Sequence, residues 1–432
     1  MTADPSDKQR SVETPDQIWL KKHAIEVAAR AWETFRQESA TNNSTSFSVP
    51  SQIQVIHEQR SGFVFRLNDV ITTDDGSFGD RHVVAKYVNG ETARVESTVI
   101  GQVLSHLNLP ILRLIGILAV DQPNHPCRIF FRYKNGMPCH DEQLRSWLFI
   151  EHVTGQQYDP FLQSHRILAA QWLAEMHLRT SGERSSPTAD TPEGNGGSGH
   201  PPSSINGIPF RRLSFFTDLL LQAKPNLLKN ADHPELSSIE FAAIQTMLEQ
   251  IRILELRLSE LQSICEILPD VFCHGDFAAR NIIVRRSLDG SGQDLMPFDW
   301  EDCCYGNAAM DFIQARPGST CESANIDLET YCENVKHQWP AVTVEKLQRL
   351  GFAGRILWFI VAIAGDAEAI VHEDFTGHVR NLRLYAAGLN DTFRALGWPI
   401  VDRRTGKQVM ACAAGIPVNA TKNRRISWGK EC

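Results

Sequence analysis

Residues 271–284, VFCHGDFAARNIIV, form the most informative stretch of this sequence. An apolar, strand-like run opens the stretch and a second apolar run closes it. Between the two runs lie Asp276 and Asn281, five positions apart, and Asp299 follows eighteen residues after Asn281 in the sequence MPFDWE. The turn-forming sequence DGSG at residues 289–292 predicts a β-hairpin between Asn281 and Asp299. Such a hairpin would carry one of these two side chains at each foot.

This set of oxygen-bearing side chains suits phosphoryl transfer to a hydroxyl group. The reaction needs an acceptor that is oriented by a group able to take its proton, and it needs Mg²⁺ to neutralise the phosphate oxygens. An aspartate on a loop, such as Asp276, supplies the first function. The oxygens of Asn281 and Asp299 are ligands that a hard divalent cation prefers, and the hairpin would bring them into one cleft. The alternative is that Asp276 caps a helix and Asn281 lies in an ordinary turn.

The order His-Gly-Asp-x-x-x-x-Asn, a hairpin and then apolar-Asp-Trp-Glu resembles the signature of the aminoglycoside phosphotransferase and choline kinase family. That family has the protein-kinase-like fold. The resemblance implies that Asp276 is the catalytic base, that Asn281 is a metal ligand and that Asp299 is the main metal ligand. Residues 305–312 are similar to the family's Gly-x-x-x-x-Asp segment, which implies that Asp311 supports the catalytic loop.

A lysine lies inside the strand predicted at residues 82–88. Lys86 is costly to bury unless it is paired or faces a cleft. Kinase-like proteins place a lysine on this strand, where it contacts the α- and β-phosphates and pairs with a helix glutamate. The resemblance therefore implies that Glu96, on the helix predicted at residues 91–107, pairs with Lys86, with Glu91 as the competing partner. The alternative is an edge-strand lysine that points to solvent.

Two further segments are assigned to nucleotide binding by the same resemblance. Ser61 and Gly62 lie between the first two predicted strands, where the family has its phosphate-covering turn, and either residue could donate to phosphate. Only one glycine is present there, and a plain hairpin turn is the alternative. Residues 149–155, FIEHVTG, are similar to the family's hinge, so backbone groups from Glu151 to Val153 would bind the adenine edge. The alternative is an ordinary strand end.

The predicted elements change along the chain from strands with one helix to helices with one hairpin. This order predicts an α+β, protein-kinase-like two-lobed fold with a small antiparallel-sheet N-lobe and a mainly helical C-lobe. We also expect a strand near residues 128–131 and helices through residues 307–395. The predicted domains are an N-terminal extension with a helix (1–49), a nucleotide-binding N-lobe (50–155), a helical C-lobe with the catalytic loop and a flexible insertion (156–395, insertion 181–206) and a basic C-terminal tail (396–432).

Composition limits the classes of function. The formal net charge of -8 gives no broad attraction to polyanions, so we expect no nucleic-acid partner. Ten scattered cysteines without a CxxC pair indicate reduced thiols, and the polar first ten residues indicate no signal peptide, so a cytoplasmic location is expected. The most apolar run, residues 356–364, is too short to span a bilayer, which predicts a buried helix and no membrane association.

These features predict a phosphotransferase enzyme that moves the γ-phosphate of ATP or GTP, with Mg²⁺, to a hydroxyl group of a small molecule. Residues 299–340 contain eight acidic side chains and two basic ones, Arg316 and Lys336. This excess favours a cationic acceptor, such as an amino-alcohol or an aminoglycoside-like compound.

Two alternatives belong to other functional classes. One is a protein kinase, and the other is a catalytically inactive kinase-like scaffold. Against a protein kinase, Gly275 replaces the usual arginine, Asp299 is not followed by Phe-Gly, and no Ala-Pro-Glu segment follows. Against a scaffold, the chain keeps the lysine, both aspartates and the asparagine that such proteins commonly lose.

Overall fold

The structure is a computed structural model that describes most of the chain. The described residues are 15–39, 47–59, 62–71, 81–107, 109–122, 125–129, 144–181, 204–205, 207–231, 236–287, 290, 292–313, 323–370, 375–401 and 408–409. Ser61, nearly all of the predicted insertion and most of the predicted basic tail lie outside these ranges.

Helices and strands alternate in the first part of the chain, and helices dominate later. In chain order, the α-helices of the described residues are α1 (Pro15–Ser39), α2 (Gly90–Thr98), α3 (Gln163–Thr180), α4 (Leu213–Asn230), α5 (Ser238–Cys265), α6 (Leu328–Val335), α7 (Val344–Ala369) and α8 (Phe375–Leu396). The strands are β1 (Ile53–Gln59), β2 (Gly62–Leu67), β3 (Val83–Asn89), β4 (Leu114–Val120), β5 (Arg145–Glu151), β6 (Gln156–Gln157), β7 (Ser204–Ile205), β8 (Ile208–Arg211), β9 (Asp270–Cys273), β10 (Ile282–Arg286), β11 (Gln293–Pro297), β12 (Cys304–Asn307), β13 (Ile400–Val401) and β14 (Gln408–Val409).

The chain forms two compact units. The first comprises Met1–Arg211 and Leu268–Val344, and the second comprises Arg212–Ile267 and Glu345–Cys432. The predicted domain boundaries at residues 49, 155 and 395 divide the chain by the order of its predicted elements and not by compactness, and they remain predictions.

A five-stranded antiparallel sheet opens the first unit, in the order β1-β2-β3-β5-β4. Alternate residues of β2, Phe63, Phe65 and Leu67, are buried, because successive side chains of a strand point to opposite faces. Helix α2 follows β3 directly, and Asn89 caps it by accepting a hydrogen bond from the backbone N–H of Thr92 at 2.7 Å. A sheet of this kind followed mainly by helices is the arrangement that the resemblance implied, and the predicted α+β, protein-kinase-like fold class is confirmed.

Helix α1 packs onto this sheet and shares its hydrophobic core. The rings of Trp32 and Phe35 lie 5.2 and 4.8 Å from the ring of Phe149 on β5. A Cβ atom on Gly116 of β4 would overlap the Phe35 ring, so a glycine is needed where the helix crosses the strand. The predicted helix of the N-terminal extension is therefore an integral part of the sheet's core.

Two small sheets carry the decisive stretch of sequence. Strands β10 and β11 form the predicted hairpin, with Ile282 opposite Pro297, and β6 pairs with the other edge of β10. The apolar run before His274 forms β9, which pairs antiparallel with β12 in the sheet β7-β8-β12-β9. The β9–β12 pairing fixes both ends of the segment from His274 to Cys303, and the β10–β11 pairing fixes the hairpin within it.

Three predicted elements differ from the structure. The helix predicted at residues 91–107 leaves α-helical geometry after Thr98, where a π-helical turn (Val99–Val103) and a 3₁₀ turn (Leu104–His106) follow. The π-helical turn contains three β-branched residues and Gly101, which are weak helix formers. Residues 128–129 are not a strand, and residues 130–131 lie outside the described residues. Of the helices predicted through residues 307–395, Asn307 instead ends β12 and a 3₁₀ turn (Ala308–Asp311) follows it; the first α-helix in the described part of this region begins at Leu328, and residues 314–322 lie outside the described residues.

The second unit is mainly helical, with β13 and β14 as a two-stranded pair. Gln250 on α5 donates hydrogen bonds to the Ala386 carbonyl at 2.7 Å and to Asn390 Oδ1 at 3.0 Å, which ties α5 to α8. Helix α7 is long and apolar enough to cross a membrane, but 56% of its most apolar window is buried, as in many core helices. It is weak support for a membrane span, and the absence of membrane association remains a prediction.

Candidate active site

A buried lysine joins two carboxylates in the first unit. Lys86 Nζ on β3 lies 2.5 Å from Glu96 Oε1 on α2 and 2.7 Å from Asp299 Oδ1 after β11. Lys86 and Glu96 are almost completely buried. The structure thus brings together three of the residues that the sequence singled out, although Lys86 and Asp299 are 213 positions apart.

The two candidate partners of Lys86 are now distinguished. Glu91 lies on the exposed side of α2 and pairs with Arg94 at 2.5 Å. Glu96, one turn and a half further along the helix, faces the lysine.

Opposite charges dominate the ionisation of Lys86 and Asp299, whereas burial prevails at Glu96 and raises the pKa of its carboxyl. Burial by itself would lower the pKa of Lys86, but the charges of Glu96 and Asp299 outweigh burial, and the pKa of the ammonium group is raised. Burial would likewise raise the pKa of Asp299, yet Lys86, with smaller contributions from His274 and Arg280, lowers it. Lys86 therefore stays cationic and Asp299 anionic at neutral pH.

Asp299 has an unusual backbone. Its φ of 69° and ψ of 64° lie in the left-handed region, which costs a residue with a Cβ atom about 1–3 kcal/mol and persists only where the surroundings enforce it. The preceding residue is held by a hydrogen bond from the Phe298 N–H to the Asn281 carbonyl at 2.9 Å. The following residue, Trp300, is buried and packs 4.2 Å from the His274 ring. These contacts on both sides keep the strained conformation that places the Asp299 carboxylate against Lys86.

The loop after β9 holds Asp276 and Asn281 together. Asn281 Nδ2 donates to Asp276 Oδ2 at 2.8 Å and to the Asp276 carbonyl at 3.1 Å, and Arg280 also donates to Asp276 Oδ2. Because a carboxylate accepts and an amide NH₂ donates, these bonds orient the Asn281 side chain. Its Oδ1 atom accepts no hydrogen bond from any described residue, so it is available to a cation.

Asp311 supports this loop through hydrogen bonds to its backbone. Its carboxylate accepts hydrogen bonds from the backbone N–H groups of His274 at 3.0 Å and Gly275 at 2.9 Å. His177 Nε2 lies 3.2 Å from the same carboxylate, and His177 Nδ1 is 2.8 Å from the Tyr331 hydroxyl. The contacts agree with the supporting role that the resemblance implied for Asp311.

A glycine is required between His274 and Asp276 in this loop. Gly275 has a φ of 81°, in the region that favours glycine, and a Cβ atom there would overlap the backbone carbonyl of Asp302. The close approach brings the loop of Asp276 against the segment that follows Asp299.

Glu301 lies two residues after Asp299. Although its side chain reaches solvent, partial burial and the nearby Asp299 charge raise the pKa of Glu301 to about 7. Titratable groups with strongly shifted pKa values are concentrated at functional sites, so Glu301 joins the candidate site.

The predicted nucleotide-binding segments lie on the same sheet. Gly62 begins β2, and a Cβ atom there would overlap the carbonyl of Tyr87. The backbone N–H groups of Glu151 and His152 donate to the Arg113 carbonyl at 2.9 Å and the His82 carbonyl at 3.2 Å. Val153 N–H donates to no acceptor among the described residues, and the assignment of this segment to adenine binding remains a prediction.

Sequence reasoning missed two residues of this region. His177 reaches Asp311 across 134 positions and belongs to no motif; a histidine on the apolar side of α3 was the only signal. Arg280, beside Asn281, bonds the Asp276 carboxylate directly, and its position four residues after Asp276 was the available signal.

The residues predicted to bind Mg²⁺ offer oxygen atoms that are not engaged elsewhere in the described part of the chain. Asn281 Oδ1 and the second carboxylate oxygen of Asp299 accept no hydrogen bond from described residues, and Glu301 lies close in sequence. These are the hard oxygen donors that Mg²⁺ requires. The residues therefore fit a magnesium ion.

Comparison with known proteins adds a family and several similar folds. A sequence model described as "Phosphotransferase enzyme family" matches residues 110–325, which is half of the chain and includes the loop of Asp276, Asn281 and Asp299. No relative was found among curated protein sequences.

Solved structures are similar at low identity. An ethanolamine kinase of Plasmodium vivax is 14% identical with a TM-score of 0.48, and the match covers 88% of this chain and 90% of that one. A choline kinase of Cryptosporidium parvum is 13% identical with a TM-score of 0.46, covering 85% and 97%. An aminoglycoside phosphotransferase of Alicyclobacillus acidocaldarius is 13% identical with a TM-score of 0.39, covering 81% and 91%.

The predicted family is confirmed by the sequence match, which spans the residues that carried the resemblance. Asp276, Asn281, Asp299 and Asp311 all lie inside the matched range, whereas Lys86 and Glu96 precede it. The chain belongs to the phosphotransferase enzyme family.

Proposed function

We propose that the protein transfers the γ-phosphate of ATP or GTP to a hydroxyl group of a small molecule, with Mg²⁺. The observation that carries this proposal is the buried Lys86 ammonium shared between Glu96 and Asp299. A charged cluster of this kind is costly to bury and is typical of a site where a ligand's charges are neutralised. The hydrogen bond from Phe298 to Asn281 ties the cluster to the loop of Asp276.

Each residue has a role in the proposed reaction. Lys86 contacts the α- and β-phosphates, and the backbone near Val153 binds the adenine edge. Gly62, with Ser61 beside it, covers the phosphates. Asp276 orients the acceptor hydroxyl and takes its proton. A bound Mg²⁺ would neutralise charge on the phosphate oxygens, and Asn281 and Asp299 would hold it.

Metal-dependent nucleotide binding is the first test. We expect ATP or GTP at millimolar concentration to raise the thermal unfolding temperature, and we expect the rise to grow with Mg²⁺ concentration. The comparison is made against EDTA. No rise with either nucleotide at any Mg²⁺ concentration would contradict the proposal as a whole.

Separate substitutions test the separate roles. Asp276→Asn should lower turnover about 10²-fold or more and leave nucleotide binding nearly intact, because the general base acts only in the chemical step. Asp299→Ala should also weaken the Mg²⁺-dependent binding. The matched control is Asp302→Asn, an exposed aspartate three residues later. Full activity of Asp276→Asn would show that the base is assigned wrongly.

We further propose a cationic acceptor, an amine-bearing alcohol. The acidic excess after Asp299 supports it, but part of that charge is already paired inside the protein. Asp299 binds Lys86, Asp311 is bonded within the loop, and Asp327 caps α6 by accepting from Thr330 N–H at 2.9 Å. The exposed carboxylates that remain in the described part of this segment include Glu301, Glu329 and Glu333. The exposed, unpaired carboxylates are therefore fewer than the eight acidic side chains counted in residues 299–340.

A panel of acceptors tests this second proposal. Choline, ethanolamine and kanamycin represent cationic acceptors, and glycerol, glucose and inositol represent neutral ones. We expect faster acceptor-dependent ADP release from Mg²⁺-ATP with the cationic group, and we expect the advantage to shrink at high salt. Equal or better use of the neutral group, without salt dependence, would refute the cationic acceptor and leave the phosphotransferase proposal standing.

A further inference from the structure

Two donors hold one oxygen of the Asp276 carboxylate. The Arg280 guanidinium and Asn281 Nδ2 both donate to Oδ2, the second at 2.8 Å. Within the described part of the chain, Oδ1 accepts no hydrogen bond. The two oxygens of this carboxylate are therefore not equivalent, and only one of them is open to a ligand.

This asymmetry depends on Arg280. The last side-chain torsion of an aspartate is broad and roughly two-fold, so a carboxylate held by one hydrogen bond can turn and exchange its oxygens. A second, charge-assisted bond from a planar guanidinium restricts that rotation. Arg280 and Asn281 lie together on the 3₁₀ turn Ala279–Asn281, so both donors move with the loop backbone.

The pair contributes little to folding. The side chain of Arg280 is 54% exposed, whereas that of Asp276 is 19% exposed. No other ion pair or hydrogen bond of the Arg280 side chain is found among the described residues. Exposed pairs four residues apart add little stability. Its main consequence is therefore the orientation of the carboxylate.

We propose that Arg280 is a positioning residue, which together with Asn281 holds Oδ2 of Asp276 and leaves Oδ1 to accept the proton of the acceptor hydroxyl. This role rests on the proposed function. In the transfer, the hydroxyl proton moves to Oδ1 as the acceptor oxygen bonds to the γ-phosphorus. The bond from that phosphorus to the bridging oxygen breaks, and the nucleoside diphosphate leaves with the electron pair.

Kinetics of substituted proteins test this role. Arg280→Ala should lower kcat about tenfold to a hundredfold, the size expected when a reacting group is misplaced, and should change the KM for ATP less than threefold. Arg280→Lys should keep more activity than Arg280→Ala. Arg286→Ala is the matched control, since Arg286 is an exposed arginine on β10 outside the loop. All three should unfold at the wild-type temperature.

Chemical rescue and a double substitution separate positioning from a general structural effect. Millimolar guanidinium should restore part of the kcat of Arg280→Ala and leave wild type and Arg286→Ala unchanged, because the exposed site admits a small cation. In an Asp276→Asn background, Arg280→Ala should lower kcat less than about twofold, because the effect passes through Asp276. Assays use Mg²⁺-ATP with the most active acceptor of the panel above.

Three results would overturn the role of Arg280. The first is an activity of Arg280→Ala equal to that of Arg286→Ala. The second is an equal loss of kcat on Arg280→Ala substitution in the wild-type and Asp276→Asn backgrounds. The third is an effect of Arg280→Ala that appears only in the KM for ATP. A normal Arg280→Ala protein beside an impaired Asp276→Asn protein would overturn this inference alone. Full activity of Asp276→Asn would instead show that the base is assigned wrongly, whereas only a wild-type protein without acceptor-dependent turnover would overturn the proposed function.

Discussion

Replacing Asp311 with asparagine tests how the loop of Asp276 is held. The carboxylate is buried and accepts from the N–H groups of His274 at 3.0 Å and Gly275 at 2.9 Å, with His177 Nε2 at 3.2 Å. Asparagine keeps one acceptor oxygen and turns an NH₂ group toward the remaining donors. At least one buried donor then loses its acceptor.

The size of the effect follows from this count. An unsatisfied buried donor costs about 1–3 kcal/mol, and bonds to a charged acceptor are at the strong end, so Asp311→Asn should destabilise the first unit by about 2–4 kcal/mol. The matched control is Asp302→Asn. That side chain is exposed and 3.6 Å from Arg211, so its loss should cost less than about 1 kcal/mol.

Urea unfolding and hydrogen exchange measure the two consequences. The urea midpoint of Asp311→Asn should fall well below that of Asp302→Asn, and the amides of His274 and Gly275 should exchange faster. Turnover should fall because the loop of Asp276 is released. Equal midpoints together with unchanged exchange of both amides would refute the supporting role of Asp311.

Three shorter predictions concern other parts of the first unit. Lys86→Met should abolish productive nucleotide binding, which calorimetry measures, and unchanged ATP affinity would contradict this prediction. The same substitution leaves a buried carboxylate unpaired, so it should destabilise the protein by about 3–5 kcal/mol in urea unfolding. The raised pKa of Glu301, about 7, means that the folded state binds its proton more tightly than the unfolded state, so stability from this group falls as pH rises from about 4.5 to 7. Glu301→Gln should therefore raise the unfolding temperature at pH 8 more than at pH 5 in metal-free buffer, and an equal shift at both pH values would count against the perturbed carboxyl. Gly116→Ala should cost about 1–3 kcal/mol in urea unfolding through its overlap with Phe35, and a neutral result would show that α1 does not pack as described.

Local patterns in the sequence were sufficient for much of the fold and for the candidate site. The strand around Lys86, the hairpin from Asn281 to Asp299 and the helix of the N-terminal extension were all predicted from periodicity and turn residues. Each depends on neighbours within a few positions, which is the range over which such patterns carry information. The family signature around Asp276 has the same local character.

Contacts between distant residues needed the tertiary structure. The sequence left Glu91 and Glu96 as alternatives, because a distance along the chain does not say which face of α2 turns toward β3; the 2.5 Å contact from Lys86 decides for Glu96. It also did not indicate His177, whose contact with Asp311 depends on how α3 packs.

By itself, the sequence determined the α+β class, the family and the short segments that contain the candidate site residues, because these follow from local residue order. Only the tertiary structure decided which groups meet: the sharing of Lys86 between Glu96 and Asp299, the strained backbone of Asp299 and the clamp of Arg280 on Asp276. The physical reason is that packing, not spacing along the chain, sets the distances and burial on which ion pairing and hydrogen bonding depend.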